Sequence, residues 1–257
     1  MPDIFSPKHC DQFQDDGFLL IRQLFSREEI KGVMHYAKSD PMIQNEAYSK
    51  SDGAGGQSKL SVNNELGSTP YSAIVQSQRV AGPMARLLND EVYHYHHKMM
   101  LKEPRVGGAW EWHQDYGYWY NNGCLFPDMA SCLIALDQAT RQNGCLQVIR
   151  GSHRMGRIDH GKSGDQTSAD QVRVDAALNR MELVYCELDP GDAIFFHGNL
   201  LHRSDQNTSE MARWSLICCY NTRHNDPYIS NGRHPNYQPL QILPDDQVRE
   251  TLVELAH

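Results

Sequence analysis

The chain has 257 residues, with 24 Lys and Arg against 32 Asp and Glu, a formal charge of −8. This acidic balance excludes the basic field of a non-specific nucleic-acid binder, and no polybasic stretch reads as a membrane anchor. No apolar run approaches the roughly 18 residues of a membrane span, and the first residues lack a secretory-signal pattern. Seven cysteines without a CxxC predict free thiols and a cytoplasmic setting.

In chain order, residues 18–24 (FLLIRQL) predict a short strand, and Ser26 with Glu29 forms a capping box that opens a helix to about Ala37. The polar, Gly-rich residues 39–67 predict a long mobile loop. Thr69-Pro70 then starts a helix to about Leu88, with Ile74, Val75, Val80 and Met84 at near-helical spacing. From residue 91 onward, short β-branched and aromatic runs alternate with turns, at 92–101, 109–113, 131–137, 145–149, 183–188, 193–196 and 214–221. Such a series predicts a sandwich or barrel rather than an open parallel sheet. Residues 154–180 predict a second long loop, and 245–255 a last helix. The expected plan is one mainly β domain: a helical part at about 1–90, a β core at about 91–221 and an extension at 222–257.

The chemistry-bearing segment is Trp110-Glu111-Trp112-His113-Gln114-Asp115. On an extended chain, residues two apart face the same side. His113 and Asp115 can therefore share one metal ion if a third ligand arrives from elsewhere. Two histidines and a carboxylate on one face of an octahedron leave three positions open, the arrangement of non-haem Fe(II) oxygenases. After the Pro190-Gly191-Asp192 turn and the strand that follows come His197 and His202. Either can supply the third ligand, and His202 is preferred because it follows a turn and begins a second extended stretch. Arg213, eleven residues after His202, opens the apolar run WSLICCY. A guanidinium at the edge of a buried strand needs an anion, and a carboxylate held by two parallel hydrogen bonds is the natural one.

These motifs, with Asp16-Gly17-Phe18, Asn143-Gly144-Cys145-Leu146 and Gly151-Ser152-His153, resemble the phytanoyl-CoA dioxygenase family over roughly residues 12–225. One departure is Arg150, where the family commonly has proline. The resemblance implies a double-stranded β-helix (jelly-roll, cupin-like) core and an oxygenase that uses Fe(II), 2-oxoglutarate and O2, releasing succinate and CO2. It implies His113, Asp115 and His202 as iron ligands and Arg213 as the anchor of the distal carboxylate of 2-oxoglutarate. Ser204 would support that anchor, and Lys98 would contribute to the same pocket. His153 reads as structural. Asp115 stands where related halogenases carry a small residue, so hydroxylation is expected rather than halogenation.

Tyr116, Tyr118 and Trp119 follow the metal motif and are expected to line the substrate pocket with His96. On a regular strand His94, His96 and Lys98 would share one face and His97 the other. Arg154, Arg157, His160 and Lys162, and also Arg223, His224, Arg233 and His234, could hold an anionic substrate if their loops fold over the iron. The expected substrate is a small polar metabolite, for example a zwitterion such as an aminoalkylphosphonate; no protein partner is implied. The alternative is a cupin-like isomerase or hydrolase that uses the metal without 2-oxoglutarate, for which Arg213 would be dispensable.

Overall fold

The structure is a computed structural model that describes residues 5–52, 55–229 and 234–255. Its elements run α1 (Pro7–Asp16), β1 (Phe18–Ile21), α2 (Arg27–Ser39), β2 (Tyr48–Ser51), β3 (Gln57–Asn63), α3 (Pro70–Val75), α4 (Gln78–Leu88), β4 (Val92–Lys102), β5 (Trp110–His113) and α5 (Asp115–Trp119). They continue with β6 (Met129–Ala135), β7 (Leu146–Ile149), β8 (His160–Ser163), β9 (Gln166–Ala169), α6 (Gln171–Leu178), β10 (Leu183–Cys186), β11 (Ala193–His197), β12 (His202–Ser204), β13 (Arg213–Thr222) and α7 (Asp245–Glu254).

Two antiparallel sheets form the expected double-stranded β-helix. A seven-stranded sheet has the order β1-β11-β6-β13-β4-β3-β2, and a four-stranded sheet has the order β10-β7-β12-β5. Alternation along β6 and β13 builds two cores from one sheet. Cys132, Ile134, Leu216, Cys218 and Tyr220 pack under the helices. Leu133, Ala135, Ile217 and Cys219 point between the sheets, where they meet Leu146 and Val148 of β7. Both faces are covered, so these strands read as continuous apolar runs rather than alternating ones. A third cluster, with Trp112, Ile149, Val174 and Leu201, covers the outer face of the smaller sheet. Among the described residues no helix is long and apolar enough to cross a membrane.

The capping box at α2 forms as expected: Ser26 Oγ accepts from Glu29 N at 3.2 Å, and Glu29 Oε2 accepts from Ser26 N at 2.7 Å. Three expectations fail. Residues 39–67 are not one loop: a π-helical turn (Met42–Glu46) leads into β2 and β3, and β3 pairs with β4 from Lys59↔Leu101 to Asn63↔His97. The helix expected over 69–88 is two helices. Between them, Gln76 O accepts from Leu243 N at 2.8 Å and Gln78 N donates to Leu243 O at 3.3 Å, so the C-terminal segment closes the break. Beyond it, Val248 and Leu252 of α7 are fully buried in the helical layer. Residues 154–180 are also structured, as the β8–β9 hairpin and α6.

Gly17 shows why the first turn is so tight. It ends α1 at φ 80°, and a Cβ there would meet the rings and side chains of His153 and Leu200. Arg150 braces the same corner through ion pairs to Asp16 and, at 2.7 Å, to Glu182.

Candidate metal centre and co-substrate pocket

The backbone brings His113, Asp115 and His202 to one point. β12 lies beside β5 with His202 directly opposite His113. Gln114 is still extended at φ −113° and ψ 133°, and Asp115 is the first residue of α5. The motif is thus a strand end turning into a helix, not a continuing strand, yet its two side chains still converge. One ligand atom from each of His113, Asp115 and His202 lies within 4.8 Å of the others, and all three residues are buried.

Each imidazole is oriented by its own chain. His113 Nδ1 lies 2.7 Å from Glu111 O, and His202 Nδ1 lies 2.9 Å from Leu200 O. A carbonyl only accepts, so Nδ1 carries the proton in both rings and Nε2 keeps its lone pair for a metal. Burial pushes both pKa values down, and His202 adds to the effect on His113, so both rings are neutral. Burial would raise the Asp115 carboxyl, but the Lys98 ammonium and a hydrogen bond from Ser131 outweigh it and hold Asp115 ionised. Lys98 Nζ lies 3.8 Å from Asp115 Oδ1. Burial alone would neutralise Lys98; Asp115 keeps it charged. Two neutral nitrogen donors and one carboxylate are the donor set of a non-haem Fe(II) centre. His197 takes no part: its ring packs on Phe13 and His153, and its Nδ1 accepts from Asn199 N at 3.0 Å.

Arg213 sits at the other end of the same inner face, on β13 with Ser215, Ile217 and Cys219 at alternate positions. It is buried, yet among the described residues one hydrogen bond holds it, from Nη1 to Ser215 Oγ at 3.3 Å, and its Nε has no partner there. Burial brings its pKa down to about 10, so it stays cationic at neutral pH. A buried guanidinium left this way costs several kcal/mol unless an anion completes it. A second basic side chain, which nothing in the local sequence marks, lies here, its pKa pushed well down by burial and by Arg213. Lys102, opposite Arg213 on β4, is fully buried and donates to Asp205 O. Ser204 is buried on β12, two residues beyond His202.

The expected pocket residues are divided. Tyr118 sets its ring edge against His113, with centroids 5.8 Å apart, and its hydroxyl donates to Thr167 O at 2.8 Å. Trp119 packs edge-on against His96 and Tyr95. Tyr116 is turned into the core and donates to Cys124 O at 3.0 Å. All three lie on α5. A bulge opposite Cys219 and Tyr220 leaves Tyr95 without a register partner, and so overturns the expected facing of the histidines. His94 shares its side with His97, 3.0 Å away, and His96 stays on the side of Lys98.

The basic loops are mostly committed elsewhere. Arg223 pairs with Glu91 at 3.0 Å, and His224 bridges Asp90 at 2.5 Å and Asp128 at 2.8 Å. Arg157 stacks on Tyr120, and His160 Nε2 accepts from Gln114 N at 3.0 Å, which braces the metal turn. His234 stacks on Tyr95, and Arg233 lies outside the described residues. Gln166 on β9 also went unrecognised: it accepts from Glu111 N at 2.9 Å and donates to Ala109 O at 2.9 Å, fixing the strand that ends at His113.

The sequence profile of the phytanoyl-CoA dioxygenase family matches residues 13–215. The chain belongs to that family. Among relatives, L-proline trans-4-hydroxylase of Streptomyces griseoviridis is 31% identical over 188 residues, covering 67% of this chain and 68% of that protein. Ectoine dioxygenase of Stutzerimonas stutzeri is 24% identical, covering 91% of this chain and 86% of that one. The crystal structure of EctD from S. alaskensis with 2-oxoglutarate and 5-hydroxyectoine shares the fold with a TM-score of 0.77 at 22% identity, over 95% of this chain and 89% of that one. As a member of this family, the chain is a 2-oxoglutarate-dependent oxygenase with Fe(II) as its metal and O2 as its oxidant.

Proposed function

We propose that the protein hydroxylates an aliphatic C–H bond of a small polar metabolite, with His113, Asp115 and His202 holding Fe(II). In this reading Arg213 binds the distal carboxylate of 2-oxoglutarate, Ser204 and Lys98 complete that pocket, and Tyr118, Trp119 and His96 wall the substrate side. The observation that carries it is the unsatisfied, buried Arg213 guanidinium on the same inner face as the three converging donors. Bound Fe(II), with 2-oxoglutarate and O2, supplies the oxidising chemistry: one oxygen atom ends in succinate as CO2 leaves, the other in the product hydroxyl. The chain's own residues set the stage. Neutral imidazoles present Nε2, the Asp115 carboxylate offsets the metal charge, and Arg213 fixes the far end of the co-substrate. Tyr118 and Trp119 keep water from the reacting face.

The chain works as one domain in this proposal, and its seven free cysteines support a cytoplasmic setting. Proline and ectoine, the substrates in the relatives' names, are small and polar, which favours that class. The test is succinate release with proline, ectoine and an aminoalkylphosphonate, with mass analysis of each product. The proposal expects one compound to stimulate succinate release and to gain one oxygen atom. Products formed without 2-oxoglutarate consumption would sink it.

A further inference from the structure

Ser131 is the one polar side chain in the buried β6 run MASCLIA. It is fully buried and faces the metal centre, where its Oγ lies 2.9 Å from Asp115 Oδ2 and 3.3 Å from Cys219 Sγ. A serine hydroxyl has one hydrogen and two lone pairs. The carboxylate takes the hydrogen, because a bond to an ionised acceptor is roughly twice as strong as a neutral one. Cys219 keeps its proton, its pKa pushed up to about 12 by burial, and so donates to Ser131 Oγ. The chain of donation runs from Cys219 through Ser131 to one oxygen of Asp115.

The two Asp115 oxygens are therefore not equivalent. Oδ2 accepts the short hydrogen bond from Ser131, whereas Oδ1 faces His113 Nε2 at 3.9 Å and the Lys98 ammonium, without a hydrogen bond, at 3.8 Å. We infer that Ser131 is a positioning residue that makes Asp115 a one-oxygen iron ligand. With Oδ2 drawn toward Ser131, closure over the metal with both oxygens is disfavoured, and three positions stay free for the 2-oxoglutarate chelate and O2. Without the hydroxyl, the freed oxygen competes with 2-oxoglutarate for the metal. This inference rests on the reading of Asp115 as an iron ligand.

The test is an anaerobic titration of Fe(II)-loaded protein with 2-oxoglutarate, followed by the visible charge-transfer band of the chelate. Iron affinity is measured separately by chelator competition. Ser131→Ala is expected to weaken 2-oxoglutarate binding by about 10-fold and to shift or weaken the band. Ser131→Thr, which keeps the hydroxyl on a β-branched side chain suited to a strand, should restore both. Thermal melts of each variant separate this outcome from general loss of fold, and the Thr rescue carries the test if Ala proves unstable. If wild type gives the band and Ser131→Ala titrates identically, or if Thr behaves like Ala while remaining folded, the positioning role is overturned. If wild type gives no band, the iron reading and this inference fall together.

Discussion

Among the described residues two pairs of histidines are buried, and one of them presents the donor set that a metal ion takes. His113 and His202 are 4% and 5% exposed, and His94 and His97 are 7% and 2%, so burial does not tell the pairs apart. The wiring of the ring nitrogens does. In the first pair each Nδ1–H is tied to a carbonyl two residues back, both Nε2 lone pairs stay free, and Asp115 stands beside them. In the second, His94 Nε2 and His97 Nδ1 bind each other at 3.0 Å, beside the Tyr71 ring on the helical side of the sheet. A metal ligand needs a spare lone pair and a nearby charge to offset the cation, and among the described residues no carboxylate hydrogen-bonds the second pair.

The largest effect should separate the pairs outright. His202→Ala is expected to weaken Fe(II) binding by more than about 100-fold, beyond the usual loss from removing a group that merely supports a ligand. His94→Ala should leave it unchanged. Chelator competition on both variants measures this, and equal losses would erase the distinction. Next comes the far end of the co-substrate pocket. Arg213→Ala should raise the Kd for 2-oxoglutarate by about 30-fold or more, the equivalent of truncating one partner of a buried charge pair. Arg213→Lys should recover only part, because an ammonium cannot reproduce the planar fork. A titration with 2-oxoglutarate on iron-loaded protein reads both values.

The smallest effect concerns acid. Burial lowers the His94 pKa to about 3 and that of His97 to about 4, whereas both have ordinary values near 6.5 when unfolded. The unfolded chain therefore binds more protons between these values, so the pair's contribution is complete above pH 6.5 and is lost as the pH falls toward 4. For one such group the slope is at most about 1.4 kcal/mol per pH unit. Urea unfolding at pH 7 and pH 5 should show a smaller difference for His97→Gln than for wild type. An unchanged difference would show that other groups govern acid sensitivity.

The same contrast marks what the sequence made legible. His113, Asp115, His202 and Arg213 stood out because each breaks a local pattern: two polar groups two apart on a strand end, and charges bordering apolar runs. The Ser26–Glu29 cap was readable because it depends on residues three apart. The orientation of His94 was not, since the bulge at Tyr95 arises from how β4 pairs with β13, more than a hundred residues away. The same reason hid β3, whose alternating burial at Ser58 and Leu60 follows a Gly-rich stretch of sequence, and the break between α3 and α4, which the Leu243 backbone closes. Ser131 was masked by its apolar neighbours; one serine in a strand acquires meaning only when the chain places Asp115 beneath it.

The most direct test of the account is anaerobic addition of Fe(II) and 2-oxoglutarate to metal-free protein, observing the charge-transfer band for wild type, His94→Ala, His113→Ala and Arg213→Ala. The account predicts the band in wild type and His94→Ala, its loss in His113→Ala, and its appearance only at much higher 2-oxoglutarate in Arg213→Ala. Iron binding by wild type with no band on adding 2-oxoglutarate, or an undiminished band in His113→Ala, would contradict it.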